Sequence, residues 1–439
     1  MSGPYRSRYG RSLECSGRMK PIIAANLTKL PMTLKRSVRL GASNVPRHAD
    51  SEPDLDEALR LVIELMAIPG LSGDEAAVAE FITKRLREAG GPAPAIRTDR
   101  AHHRTPLAGN TGNLIFRLPG TIRAPRRLLM AHMDTVPICR GSRPKLDGGF
   151  VRSADPKTGL GADDRAGVAV VLSAALAILR HKLPHPPLTF FWPIQEEIGL
   201  YGARFADLGL LGNPKLAFNW DGGGLDRVTI GATGGYRMNI EIEGRASHAG
   251  VCPEQGVSAI GIAGLAIAEL QYGGWHGDVR KGKHRGTSNI GVIAGGEATN
   301  VVTDRVRLKA EARSHDPAFR GRIVKAFETA FQRGARHVKS SLGRRGAVSI
   351  DGRLDYEAFR LPDDEPCVVA AEQALRAIGV EPFQAISNGG LDANWMTARG
   401  IPTVTLGCGQ VEAHTVNERL DVAAFQGACR VALRLAMGV

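Results

Sequence analysis

Residues 126–137, RRLLMAHMDTVP, run from a short apolar stretch straight into a histidine and an aspartate, His132 and Asp134. Four apolar residues in a row suit a strand buried on both faces. In open α/β sheets, reactive side chains collect where such a strand ends and its loop begins. His132 and Asp134 lie two apart in an extended segment and so share a face. The carboxylate can therefore take one imidazole N–H and leave the other ring nitrogen free to bind.

Working outward, the same hand-over recurs. NTGNLIFRLPG (110–120) reads as a neighbouring strand, PLTFFWPIQ (187–195) leads into Glu196 and Glu197, and KLAFNWD (215–221) delivers Asp221. Between them GLGADDRAG (159–167) opens a helix of small and branched apolar residues, with Asp163 and Asp164 at its N-terminal end, where negative charge is favoured. Upstream, DLDEALRLVIELMAI (54–68) and DEAAVAEFITKRLREAG (74–90) have helical periodicity, with Ser72 reading as the N-cap of the second. Strands alternating with helices predict an α/β fold with a mixed, mostly parallel sheet covered by helices.

The pattern changes after residue 234. YRMNIEIEG, PEQGVSAIGIAGLAIAELQ, GTSNIGVIAG, DRVRLKAEARS, DPAFRGRIVKAFETAFQRG and AVSIDGRLDYEAF read in order as β-α-β-β-α-β, the split, ferredoxin-like α+β unit. WHGDVRKGKHRG (275–286) reads as a basic, glycine-rich loop inside it. The first pattern then resumes with PCVVAAEQALRAIG as a helix, NGGLDANWM as a loop and IPTVTLG as a strand, followed by GQVEAHTVNE, which carries His414. We therefore expect a catalytic domain at 51–234 and 359–439, interrupted by an inserted domain at 235–358 and preceded by a leader at 1–50.

His132, Asp163, Glu197, Asp221 and His414 together suit a two-metal site. Two divalent ions about 3.5–4 Å apart can share a carboxylate and a water, polarise a carbonyl and make that water a nucleophile near neutral pH. Zinc favours imidazole and carboxylate ligands in an open site, and manganese or cobalt suits the same N/O donor set. Glu196, beside Glu197, is the candidate general base and acid.

Read together, AHMDTVP, GLGADDRAGVAVV, QEEIGLYGAR and the late His414 resemble the co-catalytic zinc peptidases and deacylases of the M20 family, in its peptidase T-like branch of tripeptide aminopeptidases, over about residues 55–437. The resemblance implies a zinc-exopeptidase-like catalytic domain holding two Zn2+ and an inserted lid that also serves as the dimer surface. It makes Asp163 the bridging ligand with a cis peptide bond after it and gives Glu197 rather than Glu196 to the metal. In the insertion it assigns substrate contacts to His248 (EGRASHAG), Asn300 (GEATNVVTD) and Arg313 (EARS), the histidine in some relatives reaching across a dimer. Arg suits bidentate binding of a carboxylate. The activity implied is release of the N-terminal residue from short peptides, by attack of a metal-bridging hydroxide with Glu196 as base and then acid. An M20-type carboxypeptidase or N-acyl-amino-acid deacylase keeps the same chemistry with a different substrate end. A catalytically silent binding or scaffold protein is the alternative of another class.

Charge and composition bound the rest. Of the formal charge of +13, +8 sits in the first fifty residues, where ten Lys and Arg meet only Glu14 and Asp50. That leader reads as a disordered tail, a targeting segment or a start read too far upstream; nucleic acid is not expected as a partner of the rest of the chain, and a contact with it is open only to this leader. No apolar run reaches the roughly 18 residues of a membrane span. Six cysteines without a CxxC pair read as reduced thiols of a cytoplasmic protein.

Overall fold

Alternation along the strands sets the architecture of the computed structural model, which describes residues 51–439. The leader at 1–50, with its tail or targeting reading, lies outside the described residues. Phe116, Leu129, Phe190 and Phe218 point to one side of a nine-stranded sheet, and Ile115, Leu128, Met130, Phe191 and Ala217 to the other. Both faces are therefore apolar and both are covered. Helices Leu55–Ala67, Ala76–Glu88, Ala162–His181, Pro366–Ala377 and Val422–Met437 close the larger side, and Tyr201–Phe205, Leu208–Leu211 and Asp392–Ala398 the smaller.

The strands run in the order Ile96–Thr98, Leu114–Leu118, Leu188–Trp192, Arg127–Met130, Leu216–Trp220, Thr403–Leu406, Arg227–Ala232 and Phe359–Arg360, with Phe383–Ser387 also paired to Arg227–Ala232. Pairing is parallel through the four central strands and for Phe383–Ser387, and antiparallel on the flanks. The parallel centre points the ends of Arg127–Met130, Leu188–Trp192 and Leu216–Trp220 the same way, so His132, Glu196, Glu197 and Asp221 emerge on one side. Helix Ala162–His181 is packed tightly against this edge. A Cβ at Gly167 would lie 2.1 Å from the Trp220 carbonyl oxygen.

Gly234–Glu243, Gly277–Lys281, His284–Gly295, Arg305–Ser314 and Ala347–Tyr356 form a five-stranded antiparallel sheet with helices Ala259–Tyr272 and Pro317–His337 on one face. Met238, Ile240, Ile242, Val306, Leu308 and Ala312 point to those helices, and the polar residues between them face away. The basic segment 275–286 is not an open loop. Its Gly277–Lys281 strand pairs with the start of His284–Gly295 around Gly282 and Lys283, a two-residue turn in which Gly282 adopts φ 61°. Asn394 ties the two chain crossings between the sheets, its Nδ2 donating to the carbonyls of Thr233 at 3.0 Å and Glu357 at 2.7 Å.

A further sheet was not read from the sequence. Gln410–Val411, Arg419–Asp421, Phe150–Ser153 and Pro144–Asp147 pair in that order, and His414 lies in the loop between the first two. Ser72 is not a helix cap either. Glu75 occupies the N-cap of Ala76–Glu88, and the Ser72 hydroxyl donates to Asp134 Oδ2 at 2.6 Å. NGGLDANWM, read as a loop, turns helical from Asp392. Among the described residues, no helix is long and apolar enough to cross a membrane.

Candidate metal centre

Asp163 stands at the middle of the cluster. Its Oδ1 is 3.2 Å from His132 Nε2 and its Oδ2 is 3.2 Å from His414 Nε2, while His414 Nε2 is also 3.0 Å from Glu197 Oε1. Donor atoms on a tetrahedral ion with bonds of about 2.0 Å lie about 3.3 Å apart, so these separations fit ligands around metals. Donor atoms of His132, Asp163 and Glu197 lie within 4.8 Å of one another, as do those of His132, Asp164 and Asp221.

The second of these groups contains Asp164 where the sequence reading has Asp163. Asp164 is already committed: Oδ2 accepts the His132 backbone N–H at 3.1 Å, and Oδ1 accepts Gly167 N–H at 3.1 Å and Gln410 Nε2 at 2.8 Å. It braces the cluster, and Asp163 keeps its oxygens toward the two histidines. The peptide bond between the two aspartates is cis.

Asp134, fully buried, faces the other edge of His132. The imidazole Nδ1 lies 3.1 Å from the Asp134 carbonyl oxygen and 3.3 Å from its carboxylate Oδ1. The same carboxylate accepts the backbone N–H groups of Glu196 at 2.9 Å and Glu197 at 3.2 Å. Gln195, just before them, sits at φ 53°, and His414 at φ 64°; such left-handed backbone costs a side-chain-bearing residue about 1–2 kcal/mol. The Gln195 N–H is held by Glu75 Oε1 at 3.0 Å.

Burial dominates the electrostatics. It pushes the carboxyls of Glu196 and Asp221 well above their ordinary range, with neighbouring carboxylates adding to the effect. Asp163 goes the other way: burial opposes ionisation, yet hydrogen bonds from His132 and His414 hold its carboxyl low. Hydrogen bonds to Asp163 and Glu197 raise His414 to about 10. So much acid in one buried place, shared with two imidazoles, is a donor set that divalent cations suit.

A cavity of about 410 Å³ opens over the cluster, lined by Asp163, Glu196, Glu197, Asp221 and His414 on one side and by Arg237, Arg313 and Tyr356 of the five-stranded sheet on the other. The structure thus brings Arg313 to the cluster, though its guanidinium also grips Glu311 through two contacts of 3.0 Å. His248 and Asn300 do not line this cavity. They are exposed neighbours of one another, joined by the Ala249 N–H to the Asn300 carbonyl at 2.8 Å. Arg237 and Tyr356 were missed in the sequence. Arg237 shares the polar face of Arg313, and the Tyr356 ring packs so closely on Gly390 that a Cβ there would lie 2.5 Å from its Cζ.

A model of peptidase family M20/M25/M40 matches residues 128–438. The chain belongs to that family. Uncharacterized protein YqjE of Bacillus subtilis (strain 168) is 32% identical over 362 residues, 82% of this chain and 92% of YqjE. A tripeptidase from Staphylococcus aureus subsp. aureus mu50 superposes with a TM-score of 0.79 at 30% identity, covering 88% of this chain and 99% of that one. Aminopeptidase PepT from Bacillus cereus ATCC 10987 does so with a TM-score of 0.76 at 31% identity, covering 88% and 98%. This M20 protein is a peptidase T-like metallo-exopeptidase, a hydrolase acting on peptide or amide bonds.

Proposed function

We propose that this M20 enzyme is a cytoplasmic di-zinc aminopeptidase that releases the N-terminal residue from tripeptides and similarly short peptides. The observation that carries the di-metal part is Asp163, whose two oxygens each face a different histidine at 3.2 Å. In this reading His132, Asp163 and Asp221 hold one ion, and Asp163, Glu197 and His414 the other. When bound, the pair supplies Lewis-acid polarisation of the scissile carbonyl and lowers the pKa of the attacking water.

Glu196 takes the water's proton on its carboxylate and hands it to the departing nitrogen. Two features support that role: its Oε2 lies 3.9 Å from His132 Nε2 at the edge of the cluster, and burial raises its affinity for a proton. Asp134 fixes the His132 ring and, through the backbone, the position of Glu196. Arg313 on the opposite wall suits a carboxylate of the substrate. A cavity of about 410 Å³ is in the range of small-ligand sites, in keeping with a short peptide, and the likeness to a tripeptidase and an aminopeptidase favours cleavage at the amino end.

The inserted unit at 235–358 acts as lid and as homodimer surface in this reading. Ile260 and Leu265 are exposed on helix Ala259–Tyr272, and Val292 and Ile293 on the part of His284–Gly295 that extends beyond its pairing with Gly277–Lys281. His248 and Asn300 would then serve the partner's cavity.

The test is mass spectrometry of products from di-, tri- and tetrapeptides and their N-acetylated and C-amidated forms, with zinc-loaded protein. Free-amine tripeptides should lose their first residue. Cleavage confined to acylated substrates would make the protein a deacylase, and release of the last residue a carboxypeptidase.

A further inference from the structure

We propose that Glu418 is a positioning residue that sets the separation of Asp163 and His414 and so holds the second metal site in register; this rests on the di-metal reading above. Glu418 is 2% exposed. Its Oε2 accepts the backbone N–H groups of Leu160 at 2.8 Å and Gly161 at 2.7 Å, and its Oε1 accepts the N–H of Asp163 at 3.0 Å. The Cys139 thiol adds a contact of 3.4 Å to Oε2. Main-chain N–H groups meet both of its oxygens. The segment that delivers Asp163 is thus hung on one side chain.

That side chain belongs to the loop of His414. Thr415 Oγ1 donates to the Glu412 carbonyl at 2.8 Å and accepts the Asn417 N–H at 3.1 Å, and the Glu418 N–H reaches the Thr415 carbonyl at 3.3 Å. Residues 414–418, five in all, therefore fold into one tight turn with the imidazole at one end and the carboxylate at the other. The two loops also touch: a Cβ at Gly159 would lie 3.0 Å from the Thr415 carbonyl oxygen and 3.2 Å from Glu418 Oε2. Main-chain donors converge on both oxygens, which only a carboxylate accepts throughout. An amide of the same size would turn an N–H2 against at least one of them.

The experiment is a zinc titration of metal-free full-length protein by calorimetry, with metal content checked by inductively coupled plasma mass spectrometry. It compares wild type, Glu418→Gln, Glu418→Asp and, as a control for general destabilisation, Leu433→Ala in the core helix Val422–Met437. Wild type should take two equivalents. Glu418→Gln should keep one and bind the other about 10–100-fold more weakly, the range for partners of metal ligands. Glu418→Asp should shift the same equivalent in the same direction, and it decides the matter if the glutamine variant does not fold. Leu433→Ala should lower the melting temperature and leave both equivalents unchanged. Wild-type affinity for both ions in the Glu418 variants, or equal weakening of both, would overturn the inference. A wild type that binds fewer than two ions would overturn the di-metal reading itself, and Glu418's role with it.

Discussion

Asp134 Oδ1 accepts the backbone N–H of Glu196 at 2.9 Å. The carboxylate that orients the first candidate ligand is therefore also what fixes the candidate base. Asp134→Asn keeps the volume but places an N–H2 where the imidazole, two backbone N–H groups and the Ser72 hydroxyl now converge. We expect kcat to fall by about 10–100-fold with the fold intact, checked by steady-state kinetics beside circular dichroism. A variant with wild-type kcat would mean that neither His132 nor Glu196 depends on this brace.

Glu196→Gln removes the proton acceptor and little else, since the Asp134 hydrogen bond to residue 196 comes from the backbone. Turnover of a free-amine tripeptide should fall by about 10²–10⁴-fold while two equivalents of metal are retained. Loss of metal in parallel with activity would instead make Glu196 a ligand, exchanging its role with Glu197.

Metal affinity should climb with pH. In the metal-free chain His414 is raised to about 10 by Asp163 and Glu197, so near neutrality it is protonated, and an ion must displace that proton. Affinity for the weaker ion should rise about tenfold per pH unit between 6 and 9, with proton release in weakly buffered solution. The His414 link itself, with its folded pKa raised from 6.5, stabilises the metal-free fold fully below pH 6.5 and is lost as pH rises through about 10. Competition against a chromophoric chelator at several pH values measures the first effect, and a flat profile would contradict it.

How far the sequence carried this reading depends on how local each signal is. His132, Glu196, Glu197 and Asp221 were legible because they follow three apolar strands, which lie parallel and adjacent. The α/β alternation was legible for the same reason, since burial writes itself into period and run length, and so were four of the five strands of the second sheet, Gly277–Lys281 being the one the β-α-β-β-α-β reading left out. Apart from Asp134, which lies two residues from His132, the partners that position the ligands were not. Glu418 meets Leu160 across 258 residues, and Ser72 looks like a helix cap because Glu75 follows it three residues on, yet its bond is to Asp134, 62 residues away. The hairpin at 277–288 hid because its glycines and lysines have low strand preference, which its partner strand overrides.

Glu75 offers a test of the fold apart from catalysis. Burial, then the nearby Asp134 charge, raises its carboxyl from 4.5 to about 7. The folded chain thus holds this proton more tightly than the unfolded one. The stability it contributes is complete below pH 4.5 and is lost as pH rises through 7. Glu75→Gln keeps an acceptor for the Gly73 and Gln195 N–H groups without the charge. In chelator, urea unfolding should find the variant favoured over wild type by about 1–3 kcal/mol at pH 8 and level with it at pH 4.5. A difference independent of pH would show that Glu75 does not titrate in this range.

Four of the five candidate ligands are in place by residue 221, but His414 follows only after the five-stranded sheet and most of the chain have been synthesised. A nascent chain on the ribosome therefore carries its first four candidate ligands through synthesis of the whole five-stranded sheet before its second imidazole, and the carboxylate that accepts the Asp163 N–H, are added. In the proposed di-metal reading, a product of premature termination upstream of His414 carries the residues that would hold one ion but lacks an imidazole for the other.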